Sequence, residues 1–185
     1  MEFTTSDLEQ FRNYLRFLAR VQLSNHLAGK VDPSDIVQQS MLGAHRALGE
    51  FAGSTQAELV AWLRTILSRE IAHATRDLHR QKRDVRREQS IEAAVDASSA
   101  RLRVFLKSGE SSPSQKASRR EHAVLVADAV ESLPEAQREA IVLHYWNGKT
   151  LAEIATQMER SPPAVAGLLH RGLRNLRERL KTLDQ

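Results

Sequence analysis

The chain of 185 residues contains no cysteine, which excludes disulfides, thiolate metal sites and cysteine nucleophiles and suits a reducing compartment. Aromatic residues are scarce at 5%, so any core must be built chiefly from Leu, Ile, Val and Ala. No apolar run approaches the roughly 18 residues that span a bilayer. The first twenty residues, MEFTTSDLEQFRNYLRFLAR, are charged from the second position onward and read as no signal peptide. A cytoplasmic protein without membrane insertion is therefore expected. The eight glycines are scattered and form no phosphate-binding loop. Serines are plentiful, yet none sits in an elbow motif or beside a paired base. Glu70 and His73 have the spacing of half a carboxylate-bridged di-iron site, but the other half is missing. No catalytic residue, metal or cofactor is expected.

What the chain does have is positive charge in two places. The formal net charge is only +4. Its distribution is uneven: Arg64, Arg69, Arg76, Arg80, Lys82, Arg83, Arg86 and Arg87 crowd one segment, and Arg160, Arg171, Arg174, Arg177, Arg179 and Lys181 crowd another. Two basic segments suggest two contacts with a polyanion.

Apolar spacing is helical nearly throughout. Leu8, Phe11, Leu15 and Leu18 form one stripe, with Thr5 or Ser6 available as cap. A second helix starts at Pro33 behind Asp32 and runs through Ile36, Val37, Met41, Ala44 and Leu48 to Phe51. After the break at Gly53-Ser54-Thr55, a long third helix carries Leu59, Leu63, Ile66, Leu67, Ile71, Ala74 and Leu78. From Gln89 to Arg120 the stripe fades into Ala, Ser, Gly and Pro, the composition of a flexible coil. Docking of Val104-Phe105-Leu106 on a domain is the alternative. Further helices follow through Val124, Ala127 and Val130 and from Glu135 to Trp146, the latter stopped by Asn147-Gly148. The expected fold is all-α: two small helical domains, residues 1–88 and 121–185, joined by a flexible linker over 89–120.

The C-terminal pattern is the most specific. Thr150 and Glu153 have capping-box spacing. Leu151, Ile154, Ala155 and Met158 face inward, with Ala155 small enough for a close crossing. Glu159-Arg160 make a turn and Ser161 caps the next helix, with Pro162 and Pro163 in its first turn. Val165, Leu169, Gly172, Leu173, Leu176 and Leu180 form its buried stripe, leaving Ala164, Ala166, Gly167, His170, Arg171 and Arg174 opposite. A run of arginines alone is usually a solvated face. Cap, turn, crossing residue and stripe agreeing in register instead indicate a helix-turn-helix whose second helix enters the DNA major groove. Ala166, Gly167 and Leu168 offer no side-chain hydrogen bonds, so base reading falls to Ser161, His170 and Arg171, or to thymine methyl contacts.

Two blocks then carry a family resemblance. DPSDIVQQSMLGAHRALGEF with AWLRTILSREIAHATRDLHRQKR resembles the second conserved region of bacterial RNA polymerase sigma factors of the sigma-70 family. LPEAQREAIVLHYWNGKTLAEIATQMERSPPAVAGLLHRGLRNLRERL resembles their fourth region. Only these two regions, joined by a linker, is the plan of the small extracytoplasmic-function type. The resemblance implies a partner, core RNA polymerase, gripped at its clamp by Asp35, Gln38 and Gln39 and at its flap by the C-terminal domain. It also implies promoter DNA as ligand. The −10 element would be opened near the loop Phe51 to Gln56 and held by Arg64, Arg69, His73, Arg76 and Arg80. The −35 element would be read by Ser161, Ala164, Ala166, Gly167, His170, Arg171 and Arg174. The family brings with it an anti-sigma factor as a further partner, though no residue here points to one. The chain departs from the family at Gln39, where glutamate is common, and at Arg69 and His73, where asparagine and aspartate are frequent. By the same resemblance Trp62 belongs to the core.

Two other readings stay open on sequence alone. Response-regulator effector domains share the C-terminal style of sequence, which allows a stand-alone DNA-binding regulator, although no receiver domain precedes it. A sigma-like decoy that holds polymerase without initiating is the other.

Overall fold

Several helix starts among the described residues are set by short hydroxyl and carboxylate side chains. A computed structural model describes residues 3–26, 31–79, 85–105 and 118–183, and no strand occurs among them. Helix α1 (Thr5–Glu9) begins behind Thr4, whose backbone N–H and hydroxyl donate to the Asp7 carboxylate at 2.7 and 2.8 Å. The cap is therefore Thr4 rather than Thr5 or Ser6: Asp7 completes the box three residues on, whereas Glu9, three residues after Ser6, is taken by Arg12. After a break at Gln10 and Phe11 the chain continues as α2 (Arg12–His26). Leu8, Phe11, Leu15 and Leu18 are all buried, so the expected stripe is shared between two helices. Helix α3 (Pro33–Ala47) is capped by Asp32, which accepts from the Ser34 N–H at 2.7 Å. It tightens into a 3-10 turn at Leu48–Glu50 and stops just short of Phe51. Helix α4 (Gln56–His79) starts behind Thr55, and the Glu58 carboxylate accepts from the Ser54 and Thr55 N–H groups at 2.9 and 3.0 Å.

Packing divides the chain into two units, Met1–Ala100 and Arg101–Gln185. In the first, α3 lies against α1, α2 and α4, and α2 against α4. Trp62 is half-buried with its ring 5.0 Å from that of Phe51.

Much of the expected flexible linker is helical. Helix α5 (Val85–Val104) replaces it as far as residue 104, while residues 106–117 lie outside the described residues. The reason is a stripe disguised by polar residues. Ile91, Val95, Ser98, Ser99 and Leu102 recur at helical spacing, and all but Ile91 are buried. The two serines satisfy their hydroxyls on α2: Tyr14 donates to Ser99 Oγ at 2.8 Å and Gln22 donates to Ser98 Oγ at 3.1 Å. A buried hydroxyl is tolerated when it has such a partner and is costly when it does not.

The second unit comprises α6 (Ser118–Glu131), α7 (Glu135–Ile141), a π-helical turn (Val142–Trp146), α8 (Leu151–Gln157) and α9 (Pro162–Leu183). The π turn ends with the Asn147 N–H on the Val142 carbonyl at 3.1 Å, and Gly148 takes the left-handed conformation at φ +68°. Helix α9 packs on α6, α7 and α8. Its approach to α7 is tight enough that a methyl on Gly172 would lie 2.6 Å from Ile141 Cδ1. Phe105, one member of the segment for which docking was the alternative, does dock within this unit. Its ring lies 4.5 Å from that of Trp146, and Arg101 donates to the Trp146 carbonyl at 2.7 Å.

The capping carboxylates make folding sensitive to acid. Backbone N–H donors, first of all, hold Asp7 below its ordinary 3.8 and Glu58 and Glu153 below 4.5. A carboxyl depressed on folding stabilises fully above its unfolded pKa, and that contribution is lost as pH falls through the folded value. The melting temperature is expected to stay level from about pH 7 to about pH 5.5 and to drop below about pH 4. Glu153→Gln keeps the acceptor but cannot titrate, so thermal melts at both ends of that range should show a smaller acid loss.

Candidate nucleic-acid interface

The helix-turn-helix forms as its residue types require. Thr150 accepts from the Glu153 N–H at 3.3 Å, and the Glu153 carboxylate accepts from the Thr150 N–H at 2.8 Å, so α8 carries a reciprocal box. The turn passes through Glu159 at φ 53°, and the Arg160 N–H reaches back to the Ala155 carbonyl at 2.9 Å. Ser161 Oγ accepts from the Ala164 N–H at 3.4 Å at the start of α9. Val165, Leu169, Gly172 and Leu176 are buried as expected, and Ala155 is buried where α8 meets α9.

Ser161, Ala164, Ala166, His170, Arg171 and Arg174 are exposed, and Gly167 is half-buried among them. All seven therefore share the outward surface of one helix. Leu168 does not join them: it is buried at the edge of the core. The first ten residues of α9, Pro162 to Arg171, carry a single fixed charge, Arg171. The remainder is strongly basic. Such a helix can press its small-residue end against bases while its arginines meet phosphates.

The basic set on α4 is divided. Arg69 and His73 are exposed and Arg76 is half-buried, at steps of four and three along one face. Arg80 lies outside the described residues. Arg64 belongs elsewhere. Five residues turn a helix by about 500°, leaving Arg64 about 140° away from Arg69. There its guanidinium donates to Asp96 of α5 at 2.6 Å, with its side chain only 18% exposed. Burial works against its charge, but the Tyr14 hydroxyl and Asp96 outweigh it and hold its pKa above the ordinary value. The neighbouring Thr65 hydroxyl also donates to α5, at Glu92. Arg64, expected beside phosphate, is here paired with a carboxylate 32 residues away.

On α3, Asp35, Gln38 and Gln39 are all exposed. Leu42, three residues beyond Gln39, is 41% exposed and completes that outward face. Its spacing of seven from Asp35 is the signal in the sequence that places it there. Among the described residues no His, Asp or Glu cluster could hold a metal, and no helix is long and apolar enough to cross a membrane.

A family profile described as Sigma-70 region 2 matches residues 9–81, and one described as Sigma-70, region 4 matches residues 123–176. The RNA polymerase sigma factor CarQ of Myxococcus xanthus is 32% identical over 168 residues, covering 91% of this chain and 83% of that protein. The RNA polymerase sigma-E factor of Streptomyces antibioticus is 38% identical over 60 residues, 32% of this chain and 33% of that protein.

The Arg64 assignment has a direct check. Arg64→Ala should lower folding stability by about 1 kcal/mol, the worth of a charged hydrogen bond discounted for the half-exposed Asp96. Arg69→Ala, at an exposed site, should change it by less than about 0.5 kcal/mol. Urea denaturation of the full chain distinguishes the two.

Proposed function

Because the chain belongs to the sigma-70 family of RNA polymerase sigma factors, of the extracytoplasmic-function type, and so directs RNA polymerase to promoters, we propose how its surfaces divide that task. The outward face of α3, with Asp35, Gln38 and Gln39 around the apolar Leu42, docks on the clamp of core polymerase. Leu42 supplies apolar area at the centre and the polar residues fix register, as in other interfaces with a dry centre and polar rim. Arg69, His73 and Arg76 of α4, together with Arg80, hold the −10 element. Trapping one unpaired base there, near the loop Phe51 to Gln56, offsets the few kcal/mol that unstacking costs. Helix α9 reads the −35 element as duplex, and the second unit also meets the polymerase flap. The chain performs no chemistry of its own, works in the cytoplasm and is open to capture by an anti-sigma factor.

The observation that carries this reading is the two-part character of α9: an outward face with one fixed charge in its first ten residues, followed by a basic second half. A merely solvated helix has no reason to keep its exposed first turns free of charge.

Run-off transcription tests the reading. Purified chain is combined with core polymerase from the source organism, using the DNA upstream of its own gene as template. A discrete transcript that depends on the chain is expected. Stable core binding with no transcript from genomic fragments would instead favour a decoy, and absence of core binding a stand-alone regulator.

Two variants test the division of labour. Asp35→Arg should abolish core binding in a pull-down, since a like charge facing a complementary patch costs several kcal/mol. Arg174→Ala should leave core binding intact and weaken holoenzyme binding to promoter duplex, with a salt slope shallower by about one.

A further inference from the structure

Gly167 and Arg171 stand four residues apart on α9, one above the other on the same face. Helical side chains run back toward the N-terminus, and Arg171 follows that course. A methyl group built on Gly167 would lie 3.1 Å from Arg171 Nη1, 3.5 Å from Nη2 and 3.6 Å from Cζ. The guanidinium therefore rests close against the bare backbone of Gly167. A methyl at 167 would push the guanidinium back by a few tenths of an ångström, and a branched side chain would displace it further. The seat also moves the charge about one helical turn toward the start of α9, the end that enters the groove in helix-turn-helix proteins. No other fixed charge lies between Pro162 and Arg171 to serve there.

We infer that Gly167 is a specificity-setting residue: it seats the Arg171 guanidinium so that its paired N–H donors meet the O6 and N7 acceptors of one guanine in the promoter duplex. The inference rests on the −35 reading proposed above. Guanine is the base whose major-groove edge offers two acceptors to a guanidinium fork. It also explains a glycine in an exposed helix, where alanine favours helix more. Gly167 is a positioning residue and acts only through Arg171.

The test uses holoenzyme assembled from the full chain and core polymerase, with selection from a random duplex library. The wild type is expected to select a sequence containing one guanine whose preference vanishes in Arg171→Ala. Gly167→Val should lose preference for that same guanine by about tenfold, the scale of one bidentate base contact. Gly167→Ala should show a smaller loss with a melting temperature no lower than wild type, which separates the effect from misfolding. In the Arg171→Ala background, Gly167→Val should cost nothing further. Replacing the guanine by 7-deazaguanine should weaken wild type and leave Arg171→Ala unmoved.

Unchanged selection by Gly167→Val overturns the inference, as does a loss of equal size in the Arg171→Ala background, which would mean a clash between valine and DNA. Insensitivity of the wild type to 7-deazaguanine also overturns it. A wild-type holoenzyme that selects no −35 sequence overturns the duplex reading itself and the inference with it, so the two failures are distinct.

Discussion

The close crossing of α9 over α7 at Gly172 governs the second unit. With Ile141 Cδ1 filling the place a side chain would take, α9 can lie on α7 in only a narrow range of rotations. Val165, Leu169 and Leu176 then turn inward together, and Ala155 allows α8 to close on the same helix. The outward set follows without further specification, because a rigid helix has one rotation for all its residues. An interior that packs as densely as a crystal tolerates little adjustment, so a change at the crossing would re-aim the outward residues of α9.

The first unit shows how surroundings decide what a charge is for. Arg64 and Arg69 sit on the same helix and have the same chemistry. One is spent on Asp96, under α5, and contributes to the fold. The other is exposed and remains available to a polyanion. Counting arginines along a sequence cannot separate these cases; the angular step between them can. The buried polar contacts of α5 act in the same way, since Ser99 and Ser98 take the Tyr14 hydroxyl and the Gln22 amide.

Most of the helical architecture was legible because its signals are local. Asp32 with Pro33, Thr150 with Glu153, Asn147-Gly148 and the stripes of α3, α4 and α9 each speak through neighbouring residues. The outward residues of α9 were legible for the same reason: register there is fixed by a long amphipathic run. Helix α5 was not, because two of its five inward residues are serines whose partners lie 76 and 85 residues away. The pairing of Arg64 with Asp96 is a non-local link of the same kind. The seat of Arg171 on Gly167 could not be read either, since glycine in a sequence states only that a side chain is missing.

The π turn at Val142–Trp146 has a consequence of a different kind. A helix acquires such a turn when it holds one residue more than its hydrogen-bonding pattern can absorb, and these turns often mark functional regions. Here the surplus residue precedes the whole helix-turn-helix. Loss of one residue there would restore ordinary winding and swing the following chain about 100° around the axis. Chain length at this point is thus part of the aiming of α9.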